Sequence, residues 1–295
     1  MNVSAPASPP DCRIVVIALA GGGALDACLA RLAPWHQQCH VVLGEGMGSA
    51  ASWQPRYPHA QFSEGAGLTV PQRRQRGVDA AQAPLVALLE DTSLPDPGWI
   101  EAISDAFASA TVAAASGPVR IDPALGARAQ ALACTEYGRS FPERLTRAAG
   151  NNLAYRRSHL LEVLHDSKHG LLESEVHAAL AARGLEIALR PRMSVTYAAP
   201  DPRGIRVGTR FHHGRLYAAA RSARWGMPAR LAWATGTLLL PALLSLRSLA
   251  AMASAVRPGA WLPTAFWICV METAWAAGEG TGYLAGGGAS LREWR

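Results

Sequence analysis

A chain of 295 residues with 49% hydrophobic content and a net charge of +6 can hold one large domain or a domain with an appendage, and it is too apolar to be disordered. Its 28 basic residues outnumber 22 acidic ones, and all but Lys168 are arginine, a side chain suited to phosphate, carboxylate and lipid-headgroup partners. Five cysteines (Cys12, Cys28, Cys39, Cys134, Cys269) show no CxxC spacing, which argues against a zinc site or a disulfide framework and fits a reducing compartment.

The opening MNVSAPASPPDCR has no basic region, and the first apolar run after it is too short for a signal-peptide core, so the amino-terminal part is expected in the cytoplasm. That run, IVVIALA (14–20), reads as a strand. It is followed by a glycine turn and a helical pattern, ALDACLARLA (24–33). HVVLGE (40–45) is a second strand ending in Glu45. VPQRRQRGVDAA (70–81) is a helix feeding the strand LVALLE (85–90), which ends in Glu90 and Asp91 and runs into a PDPGW turn at 95–99. Alternating strands and helices imply a mainly parallel sheet with helices on both faces. Ligands of such sheets sit at the carboxyl ends of the strands, where Glu45 and the Glu90–Asp91 pair fall.

Familiar phosphate and nucleophile motifs fail here. Gly21 and Gly23 begin a G-x-G-x-x-G, but Asp26 takes the third glycine's place. The single lysine lies far from any glycine loop, so a P-loop is absent, and no G-x-S-x-G elbow is present. Two carboxylates at a strand rim can instead hold Mg²⁺ or Mn²⁺, which binds a diphosphate and neutralises its charge as it leaves.

Downstream, GNNLAYRR (150–157) is a turn, a strand and an arginine pair. LLESEVHAALAARG (171–184) is a helix whose first residues, Glu173, Ser174 and Glu175, also suit ordinary capping. Arginines then recur without an acid from Arg203 to Arg230. His212 and His213 lack a ligand partner at metal spacing and suit phosphate or headgroup contact instead. No RNA-binding motif accompanies this stretch, so nucleic acid is not expected as a partner. Two apolar stretches follow, LAWATGTLLLPALLSL (231–246) and AWLPTAFWICVMETAWAAG (260–278), the first broken by Pro241 and the second by Glu272. Both lie at the lower edge of the roughly 20 residues a span requires. Buried core helices would read the same way. The upstream arginines and Trp225, Trp233, Trp261, Trp267 and Trp275 favour a membrane hairpin or re-entrant pair with both ends cytoplasmic.

From residue 13 to about 225 the chain resembles the family 2 glycosyltransferases, whose strand-end D-x-D motif and proline-rich turn are matched by Glu90-Asp91-Thr92 and PDPGW. The resemblance implies an α/β, GT-A-like (Rossmann-like) fold that moves a sugar with inversion from a nucleotide-diphosphate sugar, with a divalent cation as cofactor. It implies Glu45 at the nucleobase, and Arg74 and Arg76 of RRQRG (73–77) at nucleotide or diphosphate. Asp91 becomes the metal ligand, with Glu90 beside it; Asn151 and Asn152 face donor or acceptor, and Glu173 is the general base. Thr92 replaces the third acid, and Leu172 precedes the single base. RSARW (221–225) only partly matches the Q-x-x-R-W of membrane-bound synthases. The expected layout is a catalytic domain over 1–200, an arginine-rich juxtamembrane segment over 201–228 and a hydrophobic helical region over 229–295. That layout suggests a lipid-linked or surface-glycan acceptor at the cytoplasmic face of the inner membrane. A catalytically degenerate, membrane-attached binding or assembly subunit would share the pattern, and a nucleotidyltransferase would need a glycine- and lysine-rich first loop that is absent.

Overall fold

The computed structural model describes residues 11–165, 169–198 and 207–293. Contacts divide the chain into two compact units, Met1–Arg120 with Leu145–Ala198, and Ile121–Arg144 with Ala199–Arg295. Residues 121–144 thus group with the C-terminal helices rather than with the sheet. Lys168, Arg203 and Arg206 lie outside the described residues.

The strands are β1 (Cys12–Ile17), β2 (Cys39–Leu43), β3 (Gln61–Glu64), β4 (Leu85–Glu90), β5 (Ser93–Pro95), β6 (Val112–Ser116), β7 (Val119–Ile121), β8 (Asn152–Arg156), β9 (Glu186–Leu189) and β10 (Val195–Tyr197). A seven-stranded sheet takes the order β3-β2-β1-β4-β8-β6-β9, and β5-β10-β7 form a small second sheet. In the large sheet β8 alone runs antiparallel, inserted between β4 and β6 with Leu89 opposite Asn152. Its central strands are apolar without alternation because both faces are covered, and β2 is buried along its whole length.

The helices of this unit are α1 (Gly22–Arg31), α2 (Ala50–Trp53), α3 (Val70–Ala80), α4 (Trp99–Ala106), α6 (Arg157–Leu164) and α7 (Glu173–Ala182), with α5 (Ala127–Tyr137) belonging to the other. One core face joins Val15, Ile17 and Val42 of the sheet to Val78 of α3, Leu160 of α6 and Val176 of α7. Helix α3 starts at a capping box in which Gln72 Oε1 accepts the Thr69 N–H at 3.0 Å. Where it crosses β1 it needs a glycine, since a Cβ on Gly77 would lie 2.2 Å from Val15 Cγ1.

The second unit adds α8 (Val207–Arg221), α9 (Met227–Gly236), α10 (Leu240–Ala255) and α11 (Trp261–Ala285) to α5. Helices α8 and α11 meet at backbone distance: a Cβ on Gly214 would lie 2.2 Å from the Trp275 carbonyl, and one on Gly278 1.9 Å from that of Phe211. The two apolar stretches of the sequence part company here. Helices α9 and α10, joined through a single 3-10 turn at Thr237–Leu239, make one helical run, Met227–Ala255, with mean hydropathy 1.6 and 17% of its apolar window buried; it is the one such run among the described residues long and apolar enough to cross a membrane. The second stretch forms α11, which is packed against α8, α5 and α10 and carries Glu272, fully buried and ion-paired with Arg210. A carboxylate in that position makes α11 a bundle core rather than an equal partner in an apolar hairpin.

The close approach at Gly77 makes a direct prediction. Gly77→Ala is expected to destabilise the protein by about 1–3 kcal/mol through overpacking, and Val15→Ala on top of it to recover part of the loss. Urea unfolding of the two variants measures this, and additive effects would show that helix and strand do not press on each other at that point.

Candidate functional site

Helix α3 presents three arginines in four residues, and its geometry separates them. Arg76 is exposed and donates to the Glu64 carbonyl. Arg73 points into the sheet's carboxyl end, where Nε donates to the Gly65 carbonyl at 3.1 Å and Nη1 to that of Ala18 at 3.5 Å. Arg74, its side chain 2% exposed, projects to the end of β4, where Nη2 donates to Glu90 Oε1 at 2.9 Å and to the Gly150 carbonyl at 3.2 Å. Its Nη1 donates to Glu173 Oε2 at 2.7 Å.

This arrangement joins three distant segments of chain through one cation. Glu90 closes β4, and Glu173 is the first residue of α7. Gly150 lies in the turn before β8, and a Cβ there would sit 2.8 Å from Glu173 Oε1, close enough to press on the carboxylate. Burial, the largest influence, pushes the Glu173 carboxyl up, but the Arg74 charge and hydrogen bond, a backbone N–H and His177 together hold the group below the ordinary glutamate value. One helical turn on, His177 Nε2 pairs with the Tyr155 hydroxyl at 2.9 Å, and burial lowers the imidazole pKa and favours its neutral form.

Asp91, expected as the metal ligand, follows directly on β4. Its side chain is fully buried and turned back toward the loop after β1, where the Ala20 N–H approaches Oδ1 at 3.2 Å and Oδ2 at 3.0 Å. Burial raises its pKa from 3.8 to about 7, against the opposing pull of the Ala20 and Leu19 amides. Asn152, expected to face donor or acceptor, is also internal: its Oδ1 accepts from Trp99 Nε1 at 2.9 Å and its Nδ2 donates to the Met193 carbonyl at 2.7 Å. It fixes the PDPGW turn against β8. Asn151 donates from Nδ2 to Ser93 Oγ at 2.8 Å, while its buried Oδ1 has no hydrogen-bond partner among the described residues. Glu45 stands exposed on the loop beyond β2 and takes no part in the Arg74 cluster.

Sequence reading therefore named the three members of the cluster, Arg74, Glu90 and Glu173, without foreseeing that they bind one another. It missed Arg73, which differs from Arg74 by nothing visible in RRQRG. It also missed the Tyr155–His177 pair, whose only signal was the four-residue spacing from Glu173 to His177. Ser116 is a further omission: its hydroxyl donates to the Asn152 carbonyl at 2.7 Å and accepts from the Ala149 N–H at 3.0 Å, holding the turn that carries Gly150.

No protein-family model and no characterised protein sequence matches the chain. Its structure is similar to that of the mannosyltransferase PcManGT from Pyrobaculum calidifontis in complex with GDP-Man and Mn²⁺. The match covers 94% of this chain and 88% of that one at 16% identity, with a TM-score of 0.56. Glucosyl-3-phosphoglycerate synthase from Mycobacterium tuberculosis, in complex with Mn²⁺, UDP-glucose and phosphoglyceric acid, matches 63% of this chain and 71% of its own at 13% identity and a TM-score of 0.46. The fold is accordingly GT-A-like, a mostly parallel sheet with helices, as the sequence implied.

Among the described residues no group of three or more His, Cys, Asp or Glu side chains stands ready to hold a metal. A Mg²⁺-type cation needs less, since one or two carboxylates with phosphate and water oxygens complete its shell. Glu90, its side chain 14% exposed at the end of β4, offers one such carboxylate, whereas the side chain of Asp91 is fully buried.

Since folding raises the Asp91 pKa, the protein gains stability from the protonated form. That gain is complete below pH 3.8 and is lost as the pH climbs through about 7. Asp91→Asn keeps an acceptor for Ala20 and cannot ionise. Its melting temperature is expected to rise relative to the parent across this interval, by the equivalent of a few kcal/mol at most. A difference that stays flat from acid to neutral pH contradicts the buried placement of the carboxyl.

Proposed function

We propose that the chain is a glycosyltransferase that moves a sugar from a nucleotide-diphosphate sugar to an acceptor hydroxyl with inversion. One observation carries this reading: Arg74 draws Glu90 and Glu173 together at the carboxyl end of a mostly parallel sheet, in a fold shared with a GDP-mannose-bound mannosyltransferase. The donor lies across the ends of β1, β2 and β4, with Glu45 on the nucleobase side and Arg74 toward the diphosphate. Glu173 accepts the proton of the acceptor hydroxyl, whose oxygen attacks the anomeric carbon from the face opposite the diphosphate; the bond to the diphosphate breaks and the configuration inverts. Inversion needs a single carboxylate within hydrogen-bond reach of that hydroxyl, so Leu172 in place of a second acid is tolerated. Glu90, together with the donor's phosphates, would hold a divalent cation, Mg²⁺ or Mn²⁺, which would neutralise charge on the departing diphosphate. Asp91 sets the loop after β1 from behind.

The acceptor belongs to the lipid-linked or surface-glycan class, and the enzyme works at the cytoplasmic face of the inner membrane. Support comes from Met227–Ala255 and from the exposed Leu238, Leu239, Leu243 and Leu246 along it, with Arg230 and Arg257 near its two ends.

A second reading, a degenerate binding or assembly subunit, is favoured by one feature, the inward-facing Asp91. Release of nucleoside diphosphate from uridine, guanosine and thymidine diphosphate sugars by the full chain, with Mn²⁺ or Mg²⁺, separates the two. Turnover that drops by about 10²-fold or more in Glu173→Gln supports the enzyme. A nucleotide-induced thermal shift without turnover leaves only the binding subunit.

A further inference from the structure

Helix α10 is built inside out. A helix of a water-soluble bundle turns leucine inward and serine outward. Here Ser245, Ser248, Ala251 and Met252 are buried where α10 packs on α11 and α5, while Leu239, Leu243 and Leu246, at helical spacing, stand 57–68% exposed. Leu238 beside them is 79% exposed. A continuous apolar face of this kind marks a docking surface.

Charge decides what covers it. From Val207 to Ala289 the sequence has two acids, Glu272 and Glu279, and both are buried. Over the same stretch Arg221, Arg224, Arg247 and Arg257 are exposed, and Arg221 lies over the Trp233 ring at 3.9 Å. Leucine, tryptophan and arginine without one exposed carboxylate suit a leaflet with anionic headgroups. A second copy of the same surface would set arginine against arginine.

The same charges oppose a crossing. Between Arg230 and Arg247 the uncharged stretch is 231–246, about 24 Å of helix at about 1.5 Å per residue, short of the roughly 30 Å hydrocarbon core. Arg247, next to Leu246, lies 3.8 Å from Glu272, and the Ser248 hydroxyl donates to that carboxylate at 2.6 Å. Glu272 also pairs with Arg210, which reaches Glu136. Carrying the run through hydrocarbon takes these two arginines and two glutamates with it, which a membrane interior penalises.

We propose that Met227–Ala255 lies in the plane of a membrane, its leucines sunk into one anionic leaflet and neither end reaching the far side. This deepens the membrane location given above and rests on it, but not on the sugar chemistry. The exposed arginines meet headgroup phosphates, and Trp233 sits at the boundary between headgroups and chains.

The turn between α10 and α11 reports the topology. A Cβ on Gly259 meets nothing within 4 Å; Cys12, Cys28, Cys39 and Cys134 are buried and Cys269 is exposed. Gly259→Cys in a Cys269→Ser background therefore offers one reactive thiol. In inverted inner-membrane vesicles from cells making the full chain, a membrane-impermeant maleimide added outside is expected to label it as completely as after detergent. Protection until detergent is added, with the turn on the far side or within the lipid, overturns the in-plane placement and leaves the membrane location standing. Recovery of the chain in the soluble fraction removes that location and this proposal with it. Flotation of the purified chain with phosphatidylcholine vesicles is expected to strengthen about tenfold or more when half the lipid is phosphatidylglycerol. It is expected to fall by about tenfold or more when Leu239→Ser, Leu243→Ser and Leu246→Ser are combined. Equal binding to both lipids, or a dimer of the parent chain that the combined variant dissociates, refutes the anionic leaflet as the partner.

Discussion

One buried guanidinium organises the sheet-bearing unit. Removing an arginine from water is tolerable only when its donors are met by charge and carbonyl oxygen, and Arg74 meets this condition with two carboxylates and the Gly150 carbonyl. Each partner comes from a different element, so α3, β4, the turn before β8 and the start of α7 must all be in register for the charge to be satisfied. Glycines at 77 and 150 give the room: one lets α3 lie close on β1, the other keeps the turn clear of the Glu173 carboxylate. Stability and chemistry thus share the same atoms, with the net negative charge of the triad facing the end of the sheet where an anion-binding cation would be useful.

Much of the fold was legible because buried parallel strands leave an unmistakable trace. IVVIALA and LVALLE are continuous apolar runs, and the helices between them have their own period. The antiparallel β8 was not legible, since NLAYR reads the same in either direction and only its pairing with β4 and β6 sets its sense. At the site, residue types could be chosen from the pattern but their orientations could not. Glu90 and Asp91 are adjacent in sequence and point to opposite surroundings, as the alternation of a strand demands. One meets Arg74 and the other the Ala20 amide. Asn151 and Asn152 divide in the same way, one retaining an oxygen without a partner among the described residues and the other wholly engaged with Trp99 and Met193.

The helical unit obeys a different constraint. Its central helix α11 carries two glutamates that a sequence window treats as interruptions, yet each is answered. Glu272 receives Arg210 and the Ser248 hydroxyl, and Glu279 receives Tyr283 and Trp275. Arg210 also meets Glu136 of α5 and lies over the Trp275 ring at 4.6 Å. Such a network fixes which helix faces which, a task that leucines alone perform poorly. The large exposed apolar side chains of the described residues fall between Tyr217 and Leu284, so the surface rich in leucine and tryptophan and the polar-cored bundle belong to the same unit.

The placement of β8 carries a consequence for how the chain is made. Strands β3, β2, β1 and β4 are complete by residue 90, but the free edge of β4 waits for residues 152–156 to be synthesised. During that interval an apolar strand presents unpaired amides and carbonyls, the condition under which nascent chains self-associate. Closing the edge demands a contact between segments more than sixty residues apart, which slows folding relative to the local turns around it. The same event brings Gly150 to Arg74, so the last strand to enter the middle of the sheet is also the one that assembles the charged centre.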